Sequence, residues 1–199
     1  MARRVGPVGV LFLLALTTLL GAANKKHLPG DNMSDTFVVE TSLGTITVQL
    51  DAKAAPLHAA NFARYADEQY FDGLVFHRVI PNFMVQGGGM MPDLSAKKGK
   101  GTGVKNESLN GLRNLRGTLA AARTSDPDSA SSQFFINLKD NDFLDGTPAT
   151  KKIGYSVFGK VTAGMDVVDK IAAVKTTTKG GFSDVPEEAV VIKSVRRAK

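Results

Sequence analysis

The chain has no cysteine among its 199 residues. That excludes a disulfide scaffold, a thiolate nucleophile, thiolate metal ligation and a lipid-modified cysteine behind a leader. Tryptophan is also absent, so the indole platforms of a sugar- or nucleic-acid-binding barrel are missing. Three histidines, His27, His58 and His77, show no metal spacing with one another. No G-x-S-x-G elbow is present either, so hydrolysis has no visible machinery. Gly99 to Gly103 reads G-K-G-T-G, but the G-x-x-x-x-G-K-[ST] pattern and a buried strand leading into it are lacking, which excludes a phosphate loop. The apolar run Val8 to Leu20 has 13 residues, short of the ~20 that span a bilayer core.

What is present suits one globular domain, with 43% hydrophobic residues for its core. Arg3 and Arg4, the run Val8 to Leu20 and Gly21-Ala22-Ala23 form a charged region, an apolar region and a small-residue cleavage site. Residues 1–23 therefore read as a secretory signal peptide, with an uncleaved anchor or a start at Met33 as the alternatives. Val5-Gly6-Pro7 after the arginine pair favours general secretion over twin-arginine export. The formal net charge is +6, and loss of the two leader arginines leaves +4. Lys97, Lys98 and Lys100, like Arg196, Arg197 and Lys199, cluster without interleaved aromatics and read as solvated faces. No nucleic-acid partner is expected, nor a stable membrane association once the leader is cleaved. Residues 24–35 are polar, without hydrophobic period, and read as a flexible linker.

From Thr36 the pattern turns to short alternating runs. Phe37 to Thr41 and Thr45 to Asp51 predict a hairpin around Ser42-Leu43-Gly44. Ala54 to Gln69 carries Pro56 near its start and Leu57, Ala60, Phe62, Ala63 and Tyr65 at helical spacing, so it predicts an amphipathic helix. His58 on that helix reads as surface or packing. Val75 to Gly89 runs V-F-H-R-V-I-P-N-F-M-V-Q-G-G-G. Strict alternation there puts Phe76 and Arg78 on one strand face and His77 and Val79 on the other. A cation then sits among aromatics, unless Arg78 is simply a surface arginine on a hairpin. Met90 to Asn114 reads as a surface loop. Strands are expected over Gly117 to Arg123, Gln133 to Asn137, Tyr155 to Val161 and Ala189 to Val195, and a short helix over Met165 to Ile171.

Three ordered motifs stand out: F-H-R-V-I-P-N-F-M-V-Q-G-G-G, then G-T-L-A-A-A-R-T-S-D-P-D-S-A-S-S-Q-F-F-I-N from Gly117 to Asn137, then Y-S-V-F-G-K-V from Tyr155 to Val161. Together they resemble the cyclophilins, peptidyl-prolyl cis-trans isomerases, of the bacterial exported (periplasmic) type. The resemblance covers about Thr36 to Val195 and places an isomerase domain over residues 36–197. It implies a mainly β fold, a closed eight-stranded antiparallel barrel capped by two α-helices. It also implies that Arg78 is catalytic, while Phe83, Met84, Phe135 and Leu144 form the proline pocket and Gln86 and Gln133 orient the substrate. Ala122, Arg123 and Thr124 follow the strand that lies along the peptide, with Phe143 and Tyr155 at the rim. His77 either touches the groove or supports Arg78 from the barrel, and Phe134 faces the core.

The chain departs from the commoner pattern at three positions. Phe143 stands where many eukaryotic members have tryptophan, so tight cyclosporin binding is not expected. Tyr155 replaces a histidine. Ala121 stands where methionine is usual, on the face opposite Ala122, and predicts a packing change. The resulting expectation is a monomeric, periplasmic or secreted isomerase acting on proline-containing unfolded or partly folded polypeptides, without cofactor or covalent intermediate. A proline-peptide binding module or chaperone with incidental isomerase activity is the alternative.

Overall fold

Ten strands and two α-helices follow one another in a computed structural model that describes residue 1, residues 35–99 and residues 103–199. The leader over residues 1–23 and the linker over residues 24–35 fall outside the described residues, apart from Met1 and Asp35. The order is Thr36–Thr41 (β1), Gly44–Leu50 (β2), Pro56–Asp67 (α1), Val75–Ile80 (β3), Met84–Met90 (β4), Thr118–Ala121 (β5) and Phe134–Asn137 (β6). Then come Val157–Ala163 (β7), Met165–Ala172 (α2), Thr176–Lys179 (β8), Phe182–Pro186 (β9) and Val190–Arg197 (β10). Eight of the strands close into an antiparallel barrel in the order β1-β10-β3-β4-β6-β5-β7-β2, as the resemblance implied. Among the described residues no helix is long and apolar enough to cross a membrane.

The barrel is filled, not hollow. Alternate residues of each strand point inward, so Phe37, Ile46, Val48, Val79, Val85, Leu119, Phe134, Ile136, Phe158 and Ile192 meet in one core. From α1, Phe62 enters this core and packs against Phe37, Phe71, Phe134 and Phe158 with ring centroids 5.1–5.7 Å apart. Such tilted and edge-on contacts suit the aromatic quadrupole.

Two local expectations need correction, and one element was not expected. The buried face of α1 is His58, Ala59, Phe62, Tyr65 and Ala66, whereas Leu57 is exposed. The cause lies 49 residues away in the chain, at Glu107. Its carboxylate accepts from the backbone N–H of Leu57 and His58 at 3.0 Å and meets His58 Nδ1 at 2.6 Å. A remote carboxylate thus caps a helix that lacks a local side-chain cap, and complements the positive end of its dipole. The stretch from Met90 to Asn114 is also more than a surface loop. Ser108 and Asn114 are buried, and Ser108 Oγ accepts from the Gly154 N–H at 2.8 Å. Finally, β8 and β9 form a hairpin outside the barrel sheet, turning at Gly180-Gly181, where both φ angles are positive.

Candidate active site

A second apolar cluster lies on the outer face of β4, β5, β6 and β7. It consists of Met84, Ala120, Phe135, Leu144 and Val157, with Ile80, Phe83, Leu112, Ala122 and Tyr155 packed around it. These residues alternate with core residues on the same strands: Phe135 points outward between Phe134 and Ile136. The cluster floors a groove whose main cavity, about 220 Å³, is lined by Arg78, Phe83, Met84, Gln86, Ala122, Arg123, Phe135, Leu144 and Tyr155.

Arg78 reaches this groove through a break in alternation. Phe76 pairs with Gly87 and Arg78 with Gln86, so His77 is the extra residue of a bulge in β3. Phe76 and Val79 therefore both face the core, and Arg78 points outward next to Gln86. The expected pairing of Phe76 with Arg78 on one face is wrong. A bulge at the rim of a barrel re-aims one side chain. The aromatics that line one cavity with Arg78 are instead Phe83, Phe135 and Tyr155. Its Nε lies 3.6 Å from Asp184 Oδ2 on β9, with 44% of the arginine side chain exposed.

The remaining groove residues are tied in place. Gln86 Nε2 donates to Gln133 Oε1 at 2.9 Å. Gln133 lies over Gly89, where a Cβ would come within 2.3 Å of its Cγ, so the third glycine of the run makes room for the amide pair. Phe143 is 61% exposed and stacks on Phe83 with centroids 5.6 Å apart, at the rim. Tyr155 meets Phe135 edge-on at 5.6 Å, and the Arg123 guanidinium lies over the Tyr155 ring at 4.5 Å. A second cavity of about 180 Å³ adjoins the first, sharing Gln86, Ala122 and Arg123 and adding Thr124, Ser129, Ser131 and Gln133.

Below the groove lies a buried amide network that sequence reasoning missed. Asn141 Nδ2 donates to the Phe83 carbonyl at 3.0 Å and to Asn137 Oδ1 at 2.8 Å. Asn137 Nδ2 in turn donates to Thr118 Oγ1 at 2.9 Å and to Asn114 Oδ1 at 3.2 Å. Asn114 is anchored on Asp145, whose carboxyl stays below the usual range because these bonds and Arg113 outweigh its burial. Nothing in the spacing of three asparagines signals that they converge.

His77 is not in the groove. It is 6% exposed, under the β8–β9 hairpin, against Phe76, Leu94, Val185 and Pro186, and its Nδ1 has no partner. Burial pushes its pKa down from 6.5 to about 4; a backbone bond with Val75 opposes the shift and the Arg78 charge adds to it. The unfolded chain thus takes up this proton first. Stability from neutral His77 is complete above about pH 6.5 and is lost as pH falls towards about 4, by up to about 3 kcal/mol. Urea unfolding at pH 7, 5.5 and 4.5 should show this loss in the wild type and a flatter profile in His77→Leu. Equal profiles would refute it.

Comparisons with known proteins follow the same outline. Residues 36–197 match the family model described as cyclophilin type peptidyl-prolyl cis-trans isomerase/CLD. A peptidyl-prolyl cis-trans isomerase of Acinetobacter baylyi is 51% identical over 82% of this chain and 86% of its own. Peptidyl-prolyl cis-trans isomerase A of Dickeya dadantii is 46% identical over 95% of this chain and 93% of its own. Among solved structures, a Cryptosporidium parvum cyclophilin determined in the presence of the dipeptide Ala-Pro superposes with a TM-score of 0.70 at 23% identity, covering 82% of this chain and 99% of that one.

Proposed function

This chain belongs to the cyclophilin-type peptidyl-prolyl cis-trans isomerases, and on that premise we propose that the outer groove is where it turns X-Pro bonds, in the service of folding exported proteins. The observation that carries the site assignment is the bulge in β3, which delivers one outward guanidinium to a cavity floored by the apolar side chains of Met84, Phe135 and Leu144. Phe83, Met84, Phe135 and Leu144 hold the prolyl ring. Gln86 and Gln133 orient the adjoining peptide group, and Ala122, Arg123 and Thr124 run along its backbone. Phe143 and Tyr155 border the ring's entry. A related fold was determined with the proline dipeptide Ala-Pro present, which supports a proline-containing ligand.

The chemistry follows from the amide. Resonance across an X-Pro bond sets a barrier of ~18–20 kcal/mol and spontaneous exchange over tens of seconds. At 90° of twist the prolyl nitrogen is pyramidal and has recovered its lone pair. A guanidinium N–H beside that nitrogen binds the twisted state more strongly than the planar one, so Arg78 lowers the barrier. The planar amide is the more charge-separated form, and apolar walls that exclude water penalise it. For ordinary turnover of about 10–10³ s⁻¹ the site must supply roughly 4–7 kcal/mol, of which one preorganised charged donor contributes about half. The bond rotates without breaking, so the chain's own side chains suffice.

An X-Pro tetrapeptide titrated into labelled protein should shift the NMR signals of Met84, Phe83 and Phe135. A larger cleft of about 450 Å³ should stay silent at Gln49, Asp51, Lys53, Leu115 and Lys160, the lining residues that lie outside the apolar cluster under the groove. Shifts confined to that cleft would move the site. Export rests on the composition of residues 1–23. N-terminal sequencing of the protein recovered from the periplasm should start near Asn24, and recovery only from cytoplasm with Met1 intact would refute it.

A further inference from the structure

Two cavities meet along the groove, and one arginine stands at their junction. Arg123 lines both. Its guanidinium is fixed from three sides: Nε donates to the Gly154 carbonyl at 3.3 Å, one terminal nitrogen donates to the Thr124 carbonyl at 2.9 Å, and its plane covers the Tyr155 ring. None of these partners is an anion. Arg64, Arg78, Arg113, Arg116, Arg196 and Arg197 each have a carboxylate within 4 Å; among the described arginines, Arg123 alone has none.

The remainder of the second cavity is neutral. Thr124, Ser129 and Ser131 bring hydroxyls, and Gln86 and Gln133 bring amides. Thr124 Oγ1 already donates to Ser129 Oγ, Ser129 Oγ to the Asp126 carbonyl and Gln86 Nε2 to Gln133 Oε1, so Arg123 is the main source of unspent donors. No carboxylate lines it. The nearest acids on the adjoining loop are turned to local backbone: Asp126 accepts from the Asp128 N–H at 3.0 Å and Asp128 from the Asn106 N–H at 2.7 Å. At about 180 Å³ the space takes one extended polar side chain. A held guanidinium with three N–H bonds unspent can receive a carboxylate with two parallel hydrogen bonds.

We propose that Arg123 makes the second cavity an acid-selecting subsite, so that an X-Pro segment placing a glutamate side chain there is turned over in preference to its neutral counterpart. This deepens the reading of the groove as the isomerisation site and rests on it. Arg123 then acts as a specificity determinant that touches the substrate beside the rotating bond. A half-exposed charged pair predicts a preference of about three- to tenfold in kcat/KM, weakened by salt.

The test uses the protein as recovered after export, and X-Pro peptides identical except for Glu or Gln at each position within three residues of proline, followed by NMR exchange. The expected result is that Glu exceeds Gln at one position only, and that Arg123→Gln removes the difference. Arg123→Glu should invert it in favour of Lys at the same position. Far-UV circular dichroism and urea midpoints confirm that each variant is folded. Equal rates for Glu and Gln peptides at every position overturn the proposal while leaving the isomerase site intact. A preference that survives Arg123→Gln, or that appears wherever the acid is placed, reassigns it to net charge and overturns the proposal also. Absence of turnover for every peptide sinks instead the site reading on which it rests.

Discussion

Replacing Arg78 by alanine is expected to lower kcat/KM for an X-Pro peptide by about 10²- to 10³-fold, the range seen when one preorganised transition-state donor is removed. The loss should fall on kcat, because the guanidinium is aimed at a nitrogen that accepts a hydrogen bond only when the amide is twisted. Proline pocket residues remain, so peptide affinity should change little. Arg78→Lys, which keeps charge but not the planar fork, should recover a minor part. Stability offers the control. With 44% of Arg78 exposed and Asp184 39% exposed, the ion pair between them contributes at most about 1 kcal/mol. A loss of less than threefold in a folded Arg78→Ala protein would remove Arg78 from the mechanism and leave a proline-binding groove.

Replacing Asn137 by alanine is expected to destabilise the protein by about 3 kcal/mol and to damage turnover as well. Asn137 is fully buried on the outward face of β6. Its removal strands Asn114 Oδ1 and one donor of Asn141 and takes one bond from the Thr118 hydroxyl, which keeps its bond to the Leu115 carbonyl. Each buried group left without a partner costs about 1–3 kcal/mol, less where neighbours rearrange. Because Asn141 also holds the Phe83 carbonyl, loosening it moves a wall of the proline pocket. Urea unfolding should report a lower midpoint at unchanged slope, and KM should rise at temperatures where the variant is still folded. Adding Asn141→Leu should cost less than its effect in the wild type, since the two share one network. Strict additivity would show that the network does not act as a unit.

Both predictions rest on features of very different visibility in the sequence. The barrel strands were legible because Ile46, Val48 and Leu50, or Phe135 between Phe134 and Ile136, follow a period of two that burial enforces. Closure of the barrel was not, since no local pattern says which strands meet last. Groove residues such as Phe83, Met84, Gln86 and Phe135 were picked out through resemblance, and the structure lines one cavity with them. His77 was placed in the wrong surroundings because alternation breaks at the bulge, and an unpaired residue leaves no mark on composition. The β8–β9 hairpin escaped because Thr176 to Lys179 is largely exposed and carries no apolar alternation. Gly180-Gly181 between two short runs was the available signal. With the hairpin went Asp184, and with it the partner of Arg78. The burial of His58 depended on Glu107, which no window along the helix contains.

The interleaving of core and groove along β4, β5 and β6 bears on how such a protein can diversify. Phe134 and Ile136 belong to the barrel, while Phe135 between them belongs to the groove. Inheritance by substitution can therefore rewrite every groove position and leave the interior untouched, as two texts printed on opposite sides of one sheet. Inheritance by insertion or deletion cannot, for a single residue gained within a strand exchanges the two texts. The bulge at His77 is one place where that exchange has been absorbed, and from there to Ile80 the strand is read on the opposite side from what its opening residues foretell.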